Sequence, residues 1–237
     1  MKRLFDFVLA LVGLILSAPL LVPTIVGVWL YDRHTPFYRP LRVGKKGRPF
    51  RMLKLRSMVV NADKAGASST SNSDQRITPI GHFIRRFKLD ELSQLWNVVL
   101  GDMSMVGPRP TLQWEIETYS EEEKALLEVK PGITNLASIV FSDEGQILKD
   151  SQDPDADYLR WIRPGKSQLA LISIHHQSLW LDLQIIVLTA VAIVSKRRAL
   201  SGVVHVLQSL GAPRDVIRLA SRQEALGSAP PITQQLV

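Results

Sequence analysis

Cysteine is absent from the 237 residues. That excludes a disulfide scaffold, a zinc or iron–sulfur site with thiolate ligands, and a thiol nucleophile; it fits a reducing compartment. Acidic residues are absent from Arg33 to Val60, which holds nine Lys/Arg. By contrast Asp90 to Arg160 holds fifteen acidic and five basic residues, a net of −10. A basic neck on an acidic body predicts an anionic partner on one side, nucleic acid or a membrane surface. There is no internal repeat. The length suits one domain, or one and a half, with a sizeable core.

Charge is also absent from Phe7 to Tyr31, 25 residues in a row, and this run decides for membrane over nucleic acid. A straight helix of that length would measure roughly 37 Å, more than the ~30 Å hydrocarbon core. It is too long for a signal-peptide core, and Asp6 stands where such a peptide is positive. Pro19, with Pro23 one turn on, predicts a bend near Ser17-Ala18-Pro19, with Ser17 softening the lost hydrogen bond. Each arm is then about 12 residues, too short to cross alone. Lys2 and Arg3 precede the run, and Arg33, Arg39, Arg42, Lys45, Lys46 and Arg48 follow it. Lys and Arg resist translocation, so both flanks favour the cytoplasmic side. A re-entrant helical hairpin satisfies both flanks; a single kinked span is the alternative.

Pro36 to Met58 predicts a β-hairpin turning at Gly44-Lys45-Lys46-Gly47. Asn61 to Asp74 reads as a loop, a candidate flap. Ile80 to Leu100 predicts a mainly helical stretch with Leu89, Leu92, Trp96 and Val99 on one face, and Thr111 to Lys130 a second helix. Leu136 to Phe141 predicts a strand, and Asp150 to Asp157 an acidic loop. Leu179 to Val194 predicts a helix that is buried or lies at the bilayer interface. Residues 199–237 predict one weak amphipathic helix and a frayed end. The expected class is α+β, predominantly helical.

Three motifs fail or weaken on inspection. Pro164-Gly165-Lys166-Ser167 would need its first P-loop glycine at Arg160. His175-His176 has no helix-spaced partner for a metal. Asp153-Pro154-Asp155 is a D-x-D tripeptide, but Lys149-Asp150-Ser151-Gln152 precedes it where a buried strand is expected, so a solvated loop is favoured. Two motifs keep their interest. Asp90-Glu91 follows Arg85-Arg86-Phe87-Lys88-Leu89 near a helix start, where carboxylates would stay ionised. Ionised carboxylates suit nucleophilic attack or Mg²⁺, and the arginines suit phosphate. An ordinary acidic first turn with Arg86–Asp90 pairing is the plain alternative. Val106-Gly107-Pro108-Arg109-Pro110 fixes the backbone on both sides of one arginine, to hold an anion or simply to enter a helix.

Taken in order, several stretches resemble one family. They are Lys2-Arg3 with Asp6, Arg42-Val43-Gly44 with Gly47, and Lys54-Leu55-Arg56-Ser57-Met58. Asp74-x-Arg76-x-Thr78-x-x-Gly81 and Leu89-Asp90-Glu91-Leu92-x-Gln94-Leu95-x-Asn97 follow. Gly101-Asp102-Met103-Ser104-x-Val106-Gly107-Pro108-Arg109-Pro110, Pro131-Gly132-Ile133-Thr134 and Leu181-Asp182-Leu183 complete the series. The ordered set resembles the bacterial sugar transferases, monotopic polyprenyl-phosphate phosphoglycosyl transferases, over about residues 2–198. It departs from the family at Ala18, at Lys88 and at Asn135.

The resemblance implies a minimal catalytic form, without the multi-span N-terminal domain of larger members. Its parts would be a re-entrant membrane helix at 1–32, a cytosolic catalytic domain at 33–198 and a C-terminal extension at 199–237. It implies transfer of a sugar phosphate from a UDP-sugar to polyprenyl (undecaprenyl) phosphate at the cytoplasmic face of the bacterial inner membrane, with UMP leaving. Asp90 would attack the sugar-bearing phosphorus, and Glu91 would hold Mg²⁺ or take a proton. Arg85 and Arg109, then Lys54, Arg56 and Asp182, are the expected substrate ligands, with Asp90 and Glu91 as metal ligands and Ser17 and Pro19 at the membrane kink. Expected partners are the two substrates, anionic lipids and a second copy of the chain, with no nucleic acid. Two other readings stand beside it. A non-enzymatic anionic-lipid scaffold gives no role to Asp90-Glu91. A D-x-D glycosyltransferase on a lipid-linked sugar would need Asp153 and Asp155 and would release UDP.

Overall fold

The computed structural model describes residues 1–62, 74–149 and 151–223, without the side chains of Pro154 and Asp155. Residues 63–73 of the expected flap, Asp150 of the acidic loop and the expected frayed end beyond 223 lie outside that range. The chain is mostly helical with small sheets, and it forms two compact units.

The first unit takes Met1–Met105, Pro110–Tyr119 and Leu127–Ile133. It opens on α1 (Lys2–Asp32), which runs through Pro19 and Pro23 as one helix. The bend expected near Ser17-Ala18-Pro19 does not divide α1 into two separate helices. Each proline removes one backbone donor, not a whole turn. Ser17 and Thr24 hydroxyls donate to Leu14 and Leu20 carbonyls at 3.3 and 2.7 Å. Side chains on both sides of the prolines are also buried against the unit. Ala10 packs with Met52, Leu95, Val98 and Met103, and Leu21 and Val28 pack with Leu55, Ile84 and Leu89. The opposite face of α1 (Leu4, Ile15, Leu16, Val22 and Leu30 among others) is exposed.

The expected β-hairpin forms. β1 (Phe37–Tyr38) pairs antiparallel with β4 (Lys54–Leu55), and inside it β2 (Leu41–Val43) pairs with β3 (Pro49–Arg51), Leu41 opposite Arg51. The positive φ angles of the turn fall on Lys46 and Gly47. The single stretch expected from Ile80 to Leu100 is three short helices: α2 (Pro79–Arg86), α3 (Leu89–Leu92) and α4 (Leu95–Leu100). Lys88 breaks the first junction by taking a left-handed conformation, φ 52°. The second junction, Ser93-Gln94, separates Trp96 from Leu89 and Leu92, with which it was expected to share a face, and Trp96 is exposed.

β5 (Ser104–Val106) and β6 (Gly132–Thr134) each begin in the first unit and end in the second. Between them the expected long helix is replaced by α5 (Gln113–Ile116) and a 3₁₀ turn, Glu123–Glu128. Ser120 and Glu123 form a reciprocal cap, backbone N–H to side chain at 2.9 and 3.2 Å, which starts a new helical segment where the old one would continue.

The second unit takes Val106–Arg109, Ser120–Leu126 and the chain from Thr134 on. The strand expected at Leu136–Phe141 is a helix, α6 (Leu136–Val140), because Asn135 caps it by accepting from Ser138 N–H at 2.7 Å. An apolar run that short carries no periodicity to tell strand from helix. After α7 (Glu144–Ile147), α8 (Pro154–Asp157) leads through a π-turn into α9 (Arg163–His175). α10 (Leu179–Val194) forms as expected, capped by Ser178, and then α11 (Lys196–Ser209) and α12 (Arg214–Ser221) follow. α11 packs on α10, α6 and α12, and its Ala199, Val203 and Leu207 are fully buried. On α10, Leu181, Asp182 and Ile185 face inward, while Trp180, Val187, Ile193 and Val194 are exposed.

Candidate active site

Asp90 lies in the first turn of α3, held there by the hairpin beneath and by α2 in front. Its Oδ2 is 4.0 Å from Lys54 Nζ, and both side chains are about one-fifth exposed, 19% and 20%. Burial pushes the Asp90 carboxyl above the usual carboxylate range, and the adjacent Glu91 adds to this; Lys54 and Arg85 pull the other way. The sequence reading expected a helix end to keep this group ionised. α3 is four residues long, too short for much dipole, so the cations carry that role.

Arg85 comes from the last turn of α2. Its Nε donates to Ser57 Oγ at 3.0 Å. Burial lowers its pKa, opposed by the charges of Asp90 and Asp74, and a guanidinium stays cationic regardless. Asp74 in turn takes three donor contacts from the Arg76 side chain at 2.6–3.1 Å, which holds its carboxyl at about 2. Ser57, Asp74 and Arg76 carry part of the family resemblance, and the structure adds them to this cluster. They are far from Asp90 in sequence, and the pairing of Met58 with Ile77, with Val59 N–H donating to Arg76 carbonyl at 2.9 Å, brings them in.

Gly81 sets how closely α2 approaches Ser57. A Cβ at Gly81 would lie 1.8 Å from the Ser57 carbonyl oxygen, which is backbone and has nowhere to go. Ser57 carbonyl already accepts from Thr78 N–H at 3.1 Å. Gly81→Ala will therefore push α2 off Ser57, costing about 2 kcal/mol or more in a denaturant titration. It will also carry Arg85 out of place and lower activity. A wild-type denaturation midpoint for Gly81→Ala would contradict the packing.

Arg56, another expected substrate ligand, is engaged within the protein. It is 8% exposed, and its two terminal nitrogens donate to Asp32 at 2.6 Å each, while Nε donates to Thr35 carbonyl at 2.8 Å. Its three donors tie the end of α1 to the hairpin. Lys54, Arg85, Asp90 and Glu91 thus share the first unit, whereas Arg109 and Asp182 belong to the second. Arg109 is exposed in the loop after β5. Asn135 steadies that loop by donating to Gly107 carbonyl at 2.9 Å, and Gly107 N–H donates to Thr134 carbonyl at 3.1 Å. Asp182 is 3% exposed in the first turn of α10. Asp153 accepts from Ala156 N–H at 3.1 Å, a helix cap at α8, which is the ordinary role for that acidic loop.

Among the described residues no group of three or more His, Cys, Asp or Glu surrounds a metal-sized space. Mg²⁺ does not require one: it keeps several waters and binds through one or two carboxylates plus substrate phosphate. The Asp90-Glu91 pair, hard oxygen donors beside phosphate-seeking cations, fits an ion that arrives with a diphosphate.

The first unit thus combines a carboxylate pair flanked by Lys and Arg with one helix long and apolar enough to cross a membrane. Residues 1–196 match the family described as bacterial sugar transferase, and the chain belongs to that family. It is 37% identical over 207 residues to a UDP-glucose:undecaprenyl-phosphate glucose-1-phosphate transferase of Xanthomonas campestris pv. campestris, covering 84% of this chain and 40% of that one. A protein of the same name from Caulobacter vibrioides is 32% identical over 206 residues, covering 84% and 71%. A UDP-galactose-lipid carrier transferase of Erwinia amylovora is 44% identical over 151 residues, covering 57% and 31%. The chain thus spans less than half the length of two of these three relatives.

Proposed function

We propose that this chain is a phosphoglycosyl transferase. It moves a sugar phosphate from a UDP-sugar to undecaprenyl phosphate at the cytoplasmic face of the bacterial inner membrane, the first membrane step of glycan assembly. The observation that carries the reading is Asp90, half-buried beside Lys54 and backed by Arg85. The relatives' names supply the substrate classes.

In this mechanism an Asp90 carboxylate oxygen attacks the sugar-bearing phosphorus of the donor. The bond from that phosphorus to the bridging oxygen breaks, and UMP leaves with the electron pair. An oxygen of undecaprenyl phosphate then attacks the aspartyl-phosphosugar, and Asp90 departs as its carboxylate. Lys54 keeps Asp90 anionic before attack, and Arg85 neutralises charge on the transferring phosphoryl group. Arg109, on a loop stiffened by two prolines, and Asp182 remain candidate substrate ligands of the second unit. Bound Mg²⁺ would be held by Asp90 and Glu91 and would supply charge neutralisation of the diphosphate.

The membrane placement rests on α1. Its outer face is apolar along its length, yet both its ends are bonded to the first unit. Arg3 donates to the carbonyls of Val98 and, at 2.6 Å, Val99, and Asp6 accepts from Ser104 Oγ and Met105 N–H at 2.9 and 3.1 Å. Asp32 holds Arg56 at the other end. Ties at both ends to one unit support the reading in which α1 bends within the bilayer and leaves it on the side it entered. The basic neck then meets anionic headgroups, with Arg33 stacked on Trp29 at 4.5 Å.

The test is a screen of UDP-sugars with labelled undecaprenyl phosphate. One donor will give UMP and a labelled diphosphate-linked sugar. Release of UDP instead would favour the D-x-D reading, and no release with any donor would favour a scaffold.

A further inference from the structure

Lys54 stands in β4 opposite Tyr38, but the residue just before it is not held by the sheet. Between β3 and β4 the hairpin ladder is interrupted, and Leu53, just before Lys54, finds its partners outside the hairpin. Asn97 Oδ1 accepts from Leu53 N–H at 2.8 Å, and Asn97 Nδ2 donates to Arg51 carbonyl at 2.9 Å. Ser93 Oγ lies 3.1 Å from Leu53 carbonyl and 2.8 Å from Asp90 carbonyl, within donating reach of both. Asn97 and Ser93 are 3% and 5% exposed. Buried backbone groups need partners, and here side chains from the helices that follow Asp90 supply them. One hydroxyl therefore spans the backbone of Asp90 and the backbone next to Lys54.

We propose that Ser93 and Asn97 are positioning residues: they clamp Leu53 and thereby set the separation of Lys54 from Asp90. The inference rests on the function proposed above only for its kinetic readout. Neither residue touches substrate in this role. A displacement of about 1 Å at a reacting centre costs up to a hundredfold in rate. Ser93→Ala removes only the hydroxyl, and Ser93→Thr restores one.

The experiment is a double-mutant cycle between Ser93→Ala and Lys54→Met, read in two ways. First, the rate of UMP release on adding UDP-sugar is measured. Ser93→Ala should slow it about tenfold in the wild-type background and less than about twofold beside Lys54→Met, because the effect passes through Lys54. Second, the acetylation rate of the Lys54 peptide by an amine-reactive ester is followed by mass spectrometry. Ser93→Ala should raise it several-fold and Ser93→Thr should return it to the wild-type rate, with thermal midpoints confirming a folded protein. Equal slowing in both backgrounds, or an unchanged Lys54 acetylation rate, overturns the clamp. If the wild type releases no UMP with any donor, the functional reading fails instead, and the acetylation arm still decides the clamp.

Discussion

Asp90→Asn will abolish turnover and yet yield a more stable protein at neutral and mildly alkaline pH. The amide keeps the shape of the carboxylate but cannot attack phosphorus, and covalent catalysts that lose their nucleophile fall by about 10³-fold or more. The stability change follows from linkage. The folded-state pKa of Asp90 is raised, chiefly by burial, so the folded chain holds this proton more tightly than the unfolded one. Stability therefore falls as pH rises from the ordinary carboxylate value through the raised one, and above that the penalty is complete. Asn carries no such penalty. The thermal midpoint of Asp90→Asn will exceed that of the wild type at about pH 8, and the difference will close toward about pH 4. A variant that loses activity because it unfolds would show the opposite. Glu91→Gln should also be severe in turnover while still binding donor.

Cysteines placed singly at Lys2 and Lys46 will both react from the cytoplasmic side, and neither from the periplasm. The chain has no native cysteine to confuse the reading. A spanning helix would separate its ends by the ~30 Å of hydrocarbon. Arg3 and Asp6 at one end, and Asp32 at the other, instead bond to the same unit. Periplasmic labelling at Lys2 would pull apart contacts that bury Asp6 to 3% exposure. The distal tie has its own signature. Asp32→Ala leaves the Arg56 guanidinium buried without its carboxylate, and the cost should be about 2 kcal/mol, below the full value for a buried pair because Asp32 is 23% exposed.

What was legible in the sequence was local. The uncharged run marked α1, the Gly-Lys-Lys-Gly turn between alternating strands marked the hairpin, and the order of short motifs marked the family. What was not legible depended on partners distant in the chain or on single caps. Nothing about Lys88 announces a left-handed residue, yet it divides α2 from α3 and orients the carboxylate pair. Asn135 turns an apolar run into a helix, and the Ser120–Glu123 cap interrupts another; both signals were present and outweighed by the runs around them. Arg56 was expected as a substrate ligand from the resemblance alone. Its commitment to Asp32, 24 residues away, is a fact of packing. Asn97 stood inside the family motif, but its grip on Leu53 across 44 residues could only come from the fold.

The most direct test of the central claim is the mass of the peptide that carries Asp90. The wild-type protein is incubated with its UDP-sugar and Mg²⁺ and no lipid acceptor. If Asp90 is the nucleophile, UMP appears in a burst and that peptide gains the mass of one phosphosugar, and Asp90→Asn does neither. If UMP appears only when undecaprenyl phosphate is present, and no adduct forms with any donor, the transfer is direct and Asp90 is not the attacking group.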